Sequence, residues 1–256
     1  MKNIIAVVNQ KGGVGKTTSV INLASSLVKS RKKVLVADID PQGNATTGSG
    51  IEKNSLASSI YDVLVGQSKI SEVIVKSANC GFEILPANSN LAGAEIELVD
   101  LERREYRLKD ALAEFAGNYD IILIDCPPSL SLLTLNGLAA ANYLLVPIQC
   151  EYYALEGLTD LLNTVSRIKS GINPDLELLG LIRTMFDQRN NLANQVSEQL
   201  LQHFTTKVFK TSIPRNVRLA EAPSYGMSAV MLDKEARGSK AYIALAKELT
   251  KKLSAL

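Results

Sequence analysis

Tryptophan is absent from these 256 residues, histidine occurs once and cysteine three times. Cys80, Cys126 and Cys150 are too few and too scattered for a disulfide framework or for paired C-x-x-C zinc ligands. The lone His203 has no second histidine with which to build a metal site or a His-based triad, and is expected on a helix surface. No apolar run approaches the ~20 residues that a bilayer-spanning helix needs. The opening segment reaches a Gly/Lys-rich loop too early for a signal peptide, so a cytoplasmic protein is expected. Overall charge excess is also missing, because 28 Lys+Arg against 26 Asp+Glu leave +2. That balance hides an asymmetry. Residues 183–256 hold 12 basic side chains against 6 acidic ones, which suggests one basic face.

What is present is a chain rich enough in apolar residues, at 46%, to bury a sizeable core. Short runs over 4–8, 34–38, 82–85, 121–125, 143–148, 178–184 and, more weakly, 207–211 are apolar throughout, as strands buried on both faces of a parallel sheet are. Helical patterns fall between and after them, over 17–30, 55–65, 103–116, 131–140, 155–170, 192–204 and 235–253. The alternation predicts a doubly wound, mostly parallel α/β sheet with helices on both faces, in a single domain over 1–256. Residues 41–55, polar and punctuated by Gly43, Gly48 and Gly50, suit a mobile loop beside a site.

The sequence NQKGGVGKTT, at 9–18, lies between the first strand and its helix, the context a phosphate-binding loop requires. Gly12, Gly13 and Gly15, with Val14 between them, let successive backbone N–H groups turn towards a phosphate. Lys16 supplies charge to the outer phosphates, Thr17 a hydroxyl for Mg2+, and Thr18 a donor to an inner phosphate. Two further strands end in acid. Asp40, in VLVADIDPQGN, is placed to orient and deprotonate the attacking water, with Asp38 a deeper structural partner. Asp125, in YDIILIDCPPSL, is placed to hold Mg2+ through water, as a Walker B carboxylate does, and Pro127 and Pro128 stiffen the turn after it. Cys126 reads as a small buried thiol.

The loop departs from the common G-x-x-x-x-G-K-[ST], since Gln10 stands where the first glycine belongs and Lys11 precedes the glycine pair. It resembles the deviant Walker A motif of the ParA/MinD class of P-loop ATPases. The resemblance extends to short Soj-like ParA partitioning proteins through DIDPQGNAT (38–46), DCPPSL (125–130), PIQCEYYALEGL (147–158), TMFDQR (184–189) and IPRNVRLAEAPSYG (213–226). It implies ATP and Mg2+ as cofactors and a homodimer formed on ATP binding, each Lys11 entering the opposite site to offset charge on the transferred group. It further implies non-specific double-stranded DNA binding on the nucleoid, and slow hydrolysis stimulated by a ParB-like centromere-binding protein. By the same resemblance Pro214 and Asn216 recognise adenine, while Arg189 and Arg218 contact DNA phosphates, aided by Arg215, Lys207, Lys210 and Lys247. The longer relatives' N-terminal helix-turn-helix is not expected, since the loop begins near residue 10.

Two alternatives keep the nucleotide site. A MinD-like protein would bind membranes through an amphipathic tail, and residues 241–256 are amphipathic but lack Trp and Phe anchors. A metabolic P-loop ligase or amidotransferase would need a nucleophile or a second-substrate constellation, and the sequence displays neither clearly.

Overall fold

Ile4, Ala6 and Val8 face one apolar core while Ile5 and Val7 face the other, so β1 (Ile4–Val7) is buried on both sides. The same alternation holds along β2 (Val34–Asp38) and, beyond β3 (Val75–Lys76) and β4 (Glu83–Leu85), along β5 (Ile121–Asp125). With β6 (Tyr143–Gln149) and β7 (Glu177–Thr184) these form one sheet in the order β3-β4-β2-β5-β1-β6-β7. Every pairing is parallel except β3 with β4. This computed structural model describes residues 3–256.

Helices cover both faces, as the continuous apolar strands require. Leu108 and Leu112 of Arg107–Ala113, Leu133 and Leu138 of Leu132–Ala140, and Leu158 and Leu161 of Ala154–Gly171 fill one core. Leu23 and Leu27 of Lys16–Lys29 meet Leu245 and Leu249 of Arg237–Leu253 in the other. Each such fully buried leucine stabilises the fold by about 1.5–3 kcal/mol. The tail helix thus spends its apolar stripe, Tyr242, Leu245, Ala246 and Leu249, on the core and not on a lipid surface. Among the described residues no helix is long and apolar enough to cross a membrane. His203 ends helix Asn191–His203 on the surface, as expected.

Three expectations are corrected. The run at 207–211 is not a strand, and joins β7 through a single parallel bridge between Leu181 and Val208. Its backbone crosses Gly180 so closely that a Cβ there would lie 2.5 Å from the Lys207 carbonyl oxygen. The Arg183 guanidinium then takes the carbonyls of Phe209 and Lys210, at 3.1 and 3.0 Å, that a ladder would have used. Residues 41–55 are not an irregular loop. They fold into helix Asn44–Gly48 and the turn Lys53–Ser55, because buried Asp38 binds the Thr46 backbone and hydroxyl at 2.8 and 2.7 Å. The helical pattern at 55–65 contracts to Ile60–Val65, capped by Ser59 with Asp62 returning the bond.

Candidate functional site

β1 lies beside the central strand β5, where the strand order changes direction, and its following loop opens into the crevice at the strands' carboxyl ends. Gly13 and Gly15 have φ of 74° and 87°, in the left-handed region that side chains disfavour. Gly15 caps helix Lys16–Lys29 with no side-chain hydrogen bond, and no acidic residue stands in the first turn. The N–H groups and positive end of that helix are therefore available to an anion. Thr184, at the end of β7, donates its hydroxyl to the Val14 carbonyl at 2.8 Å and pins the loop. Gly12 differs from Gly13 and Gly15 in that its φ is not positive; like Gly13, it has nothing within 4 Å of where a Cβ would stand.

Lys16 is 7% exposed and donates to the Lys11 carbonyl at 3.4 Å. Burial lowers its affinity for the proton, and the carboxylates of Asp125 and Asp40 oppose that shift. Asp125 is fully buried, and neither carboxylate oxygen has a protein hydrogen-bond partner of good geometry among the described residues. Its neighbours in register are Val7 on β1 and Asp38 on β2. Burial first, then the charge of Asp38, pushes its carboxyl well above the usual range, while the Thr17 hydroxyl and Lys16 pull against this. Two bare carboxylate oxygens near a threonine hydroxyl, below a loop that leaves N–H groups open, are the hard oxygen donors a Mg2+–phosphate group takes. The residues fit that group.

Asp38 is enclosed, accepting from Thr46 twice and from the Asp40 N–H at 3.2 Å, the structural role its depth implied. Asp40 is 8% exposed. One of its oxygens accepts the Gln42 N–H at 2.9 Å, so it caps the turn and still lies near the Lys16 charge.

A cavity of about 380 Å³ continues from the phosphate loop, lined by Gly15, Thr18, Thr184, Met185, Pro214 and Asn216. Backbone bonds from Ile213 N–H to the Arg183 carbonyl and from Phe186 N–H to the Ile213 carbonyl, at 2.8 and 2.9 Å, hold its wall. The Asn216 Oδ1 is buried against Gly238, 3.1 Å from where a Cβ on that glycine would stand, with no hydrogen-bond partner among the described residues. Pro214 and Asn216 are thus brought to the same cavity as Thr18.

Other predicted residues lie apart. Lys11 is exposed and pairs with Glu151 of its own chain. Arg189, 90% exposed at its side chain, holds both oxygens of Asp187 at 3.0 and 2.8 Å. Arg218 is tied to Glu221 and, at 3.5 Å, to Asp233. The two arginines do not line one groove. Arg189 instead shares a cavity of about 630 Å³ with Arg215, Arg237 and Lys240, while Arg218, Lys207, Lys210 and Lys247 do not line it. Arg237 and Lys240 escaped sequence reasoning, and the basic excess of the last third was the available signal.

The family described as an AAA domain matches residues 2–178. The sporulation initiation inhibitor protein Soj of Bacillus subtilis is 51% identical over 249 residues, 97% of this chain and 98% of its own. The chromosome partitioning protein ParA of Myxococcus xanthus is 49% identical over 249 residues, 97% of this chain and 88% of its own. A solved structure named cobyrinic acid a,c-diamide synthase, from Mycobacterium smegmatis with ADP and magnesium bound, superposes with a TM-score of 0.87 at 38% identity. The match covers 99% of this chain and 96% of that one. With about half its residues shared with Soj and ParA along nearly its whole length, and a glycine loop, buried lysine and orphaned carboxylate at one crevice, the chain belongs to the ParA/Soj family of P-loop partitioning ATPases.

Proposed function

We propose that the chain, acting as one domain over 1–256, is an ATP-gated DNA-binding switch whose two copies close face to face on ATP. The observation that carries this reading is Gly12. Its own chain gives no reason for glycine there, in conformation or in space, so the demand for a bare backbone comes from what approaches the loop crest. A facing subunit is the object that fits, and Lys11 stands beside it on the exposed crest.

The backbone of 12–16 and the start of helix Lys16–Lys29 cradle the phosphates, and Lys16 bears on the outer ones. Thr17 directly and Asp125 through water hold Mg2+, which supplies neutralising charge to the outer phosphates. Pro214 and the Asn216 amide take the adenine edge. Asp40 positions the attacking water and accepts its proton as the γ-phosphate is cut. Lys11 of each copy leaves Glu151 and enters the opposite site, where its charge offsets that developing on the transferred group.

Closure aligns the Arg189, Arg215, Arg237 and Lys240 grooves of two copies, with Arg218 contributing at the margin, into one surface for double-stranded DNA. Each phosphate neutralised steepens the salt dependence of log K by about 0.9, so pairing doubles the slope as well as the contacts. Loss of the γ-phosphate opens the pair and frees the DNA. A ParB-like centromere-binding partner speeds that step, and the protein cycles on and off the nucleoid. The amide synthesis named for the M. smegmatis neighbour is not favoured, because Soj and ParA proteins share more of this sequence.

The test is DNA retention and solution mass with ATP, ADP and no nucleotide. The parent is expected to pair and to bind DNA in ATP alone, Lys11→Ala to remain single, and Asp40→Ala to stay paired and DNA-bound without turnover. A parent that is single and blind to DNA in ATP sinks the reading.

A further inference from the structure

Helix Leu91–Glu97 and the turn Leu98–Asp100 that prolongs it are apolar on two sides. Leu91, Ala94 and Leu98 are buried in the core. Ala92, Ile96 and Val99 follow the i, i+4, i+7 spacing of the opposite side, and there Ile96 is 77% and Val99 51% exposed. A single exposed apolar residue is ordinary; a second stripe at helical spacing, opposite one already buried, is a face without its partner.

The surroundings select among occupants. Glu95, Glu97, Asp100 and Glu102 interleave with the stripe in sequence, four acids against Arg103, which pairs with Asp110, and Arg104, which pairs with Glu105 and donates to the Val99 carbonyl at 3.0 Å. DNA and anionic lipid are repelled by such a rim. A second copy applying the same stripe about a twofold axis would set carboxylates against carboxylates. A helix with an apolar strip bordered by Lys and Arg meets both features at once.

We propose that the Ala92–Ile96–Val99 stripe is the docking surface for a basic amphipathic helix of a partner protein. The inference rests on reading the chain as a partner-stimulated ATPase, and names where the partner sits. Position supplies the route to the site. Helix Leu91–Glu97 follows closely on Ala87, whose N–H donates to the Thr46 hydroxyl oxygen at 2.8 Å. That hydroxyl donates to Asp38 at 2.7 Å, and Asp38 in turn accepts the Asp40 N–H at 3.2 Å. A helix seated on the stripe therefore bears, through Ala87 and Thr46, on the turn that carries the water-positioning carboxylate.

The test is ATP turnover by the full chain with DNA present. The probes are a purified ParB-like centromere-binding protein and a synthetic peptide of its most basic amphipathic segment. Two variants are compared with the parent: Ile96→Asp with Val99→Asp, and Glu95→Lys with Glu102→Lys. Both are expected to keep basal turnover, ATP-dependent mass and DNA retention, and to lose stimulation about tenfold or more. Ile96→Leu is expected to keep it. Undiminished stimulation of both variants overturns the docking surface and leaves the partner reading standing. Failure of the variants to pair in ATP assigns the stripe to a second copy and also overturns the inference. A parent that neither probe stimulates removes the partner reading itself, and the docking surface with it.

Discussion

Lys11 forms an ion pair with Glu151, 140 residues away in the same chain. Both side chains are about half exposed, at 50% and 45%, so screening by water limits the pair to ~1 kcal/mol or less. It competes with the crossing that the proposed switch needs, since Lys11 cannot hold Glu151 and reach a facing nucleotide together. Glu151→Gln is therefore expected to shift the melting midpoint by less than about 4 °C. The same change is expected to tighten ATP-dependent pairing, as sedimentation would read. Weaker pairing would place Glu151 in the interface and end its role as a resting partner.

A second prediction concerns Asp125 and pH. Burial and the neighbouring Asp38 lift its carboxyl well above the ordinary 3.8. A carboxyl whose proton is held more tightly in the folded chain stabilises fully below its unfolded value, and that contribution is lost as pH rises through the folded one. The nucleotide-free protein should lose stability from near pH 4 upward on this account, and Asp125→Asn should lessen the loss. Denaturant midpoints at about pH 5 and about pH 8 read the difference. Equal losses in parent and variant would show that Asp125 does not ionise over that interval. The variant is also expected to lose the Mg2+ dependence of ATP binding.

The strands buried on both faces were plain in the sequence because the two cores leave no polar position along β1, β2 or β5 before the terminal acids. The phosphate loop was equally legible, since Gly13 and Gly15 serve a local backbone need. What escaped depends on distant contacts. The order of 41–55 comes from Asp38 binding Thr46, and the failure of 207–211 to pair comes from Gly180 and Arg183, neither a local signal. Arg237 and Lys240 join Arg189 only once the tail helix packs beside the segment after β7. The edge strand β3 has just two partly exposed residues, too short for a periodic pattern.

The proposed adenine-binding role of Asn216 gives a third prediction. With the Asn216 Oδ1 buried and unpartnered, replacing the residue by alanine removes a desolvated acceptor from the nucleotide-free protein. Asn216→Ala is expected to hold or raise the melting midpoint while raising the KM for ATP about tenfold. GTP, which does not present the adenine edge, should be affected much less, with kcat near that of the parent. Parallel weakening of both nucleotides would mean that the amide supports the cavity wall and does not read the base.

Gly12 separates the needs of the loop from those of a facing copy. Gly13 and Gly15 lie at φ of 74° and 87°, so a β-branched residue there strains the backbone by about 1–2 kcal/mol and turns N–H groups off the phosphates. Gly12 carries no such constraint, and a Cβ on it projects into open space. Gly12→Val should fold with a parent-like melting midpoint and still bind a fluorescent ATP analogue. In the proposed face-to-face pair each valine would occupy the gap that the opposite loop enters, so ATP-dependent pairing and DNA retention are expected to vanish. Gly15→Val, by contrast, should lose nucleotide binding outright. Were Gly12→Val to pair and retain DNA as the parent does, the bare backbone at the loop crest would serve the phosphates alone, and the face-to-face arrangement would lose its chief support.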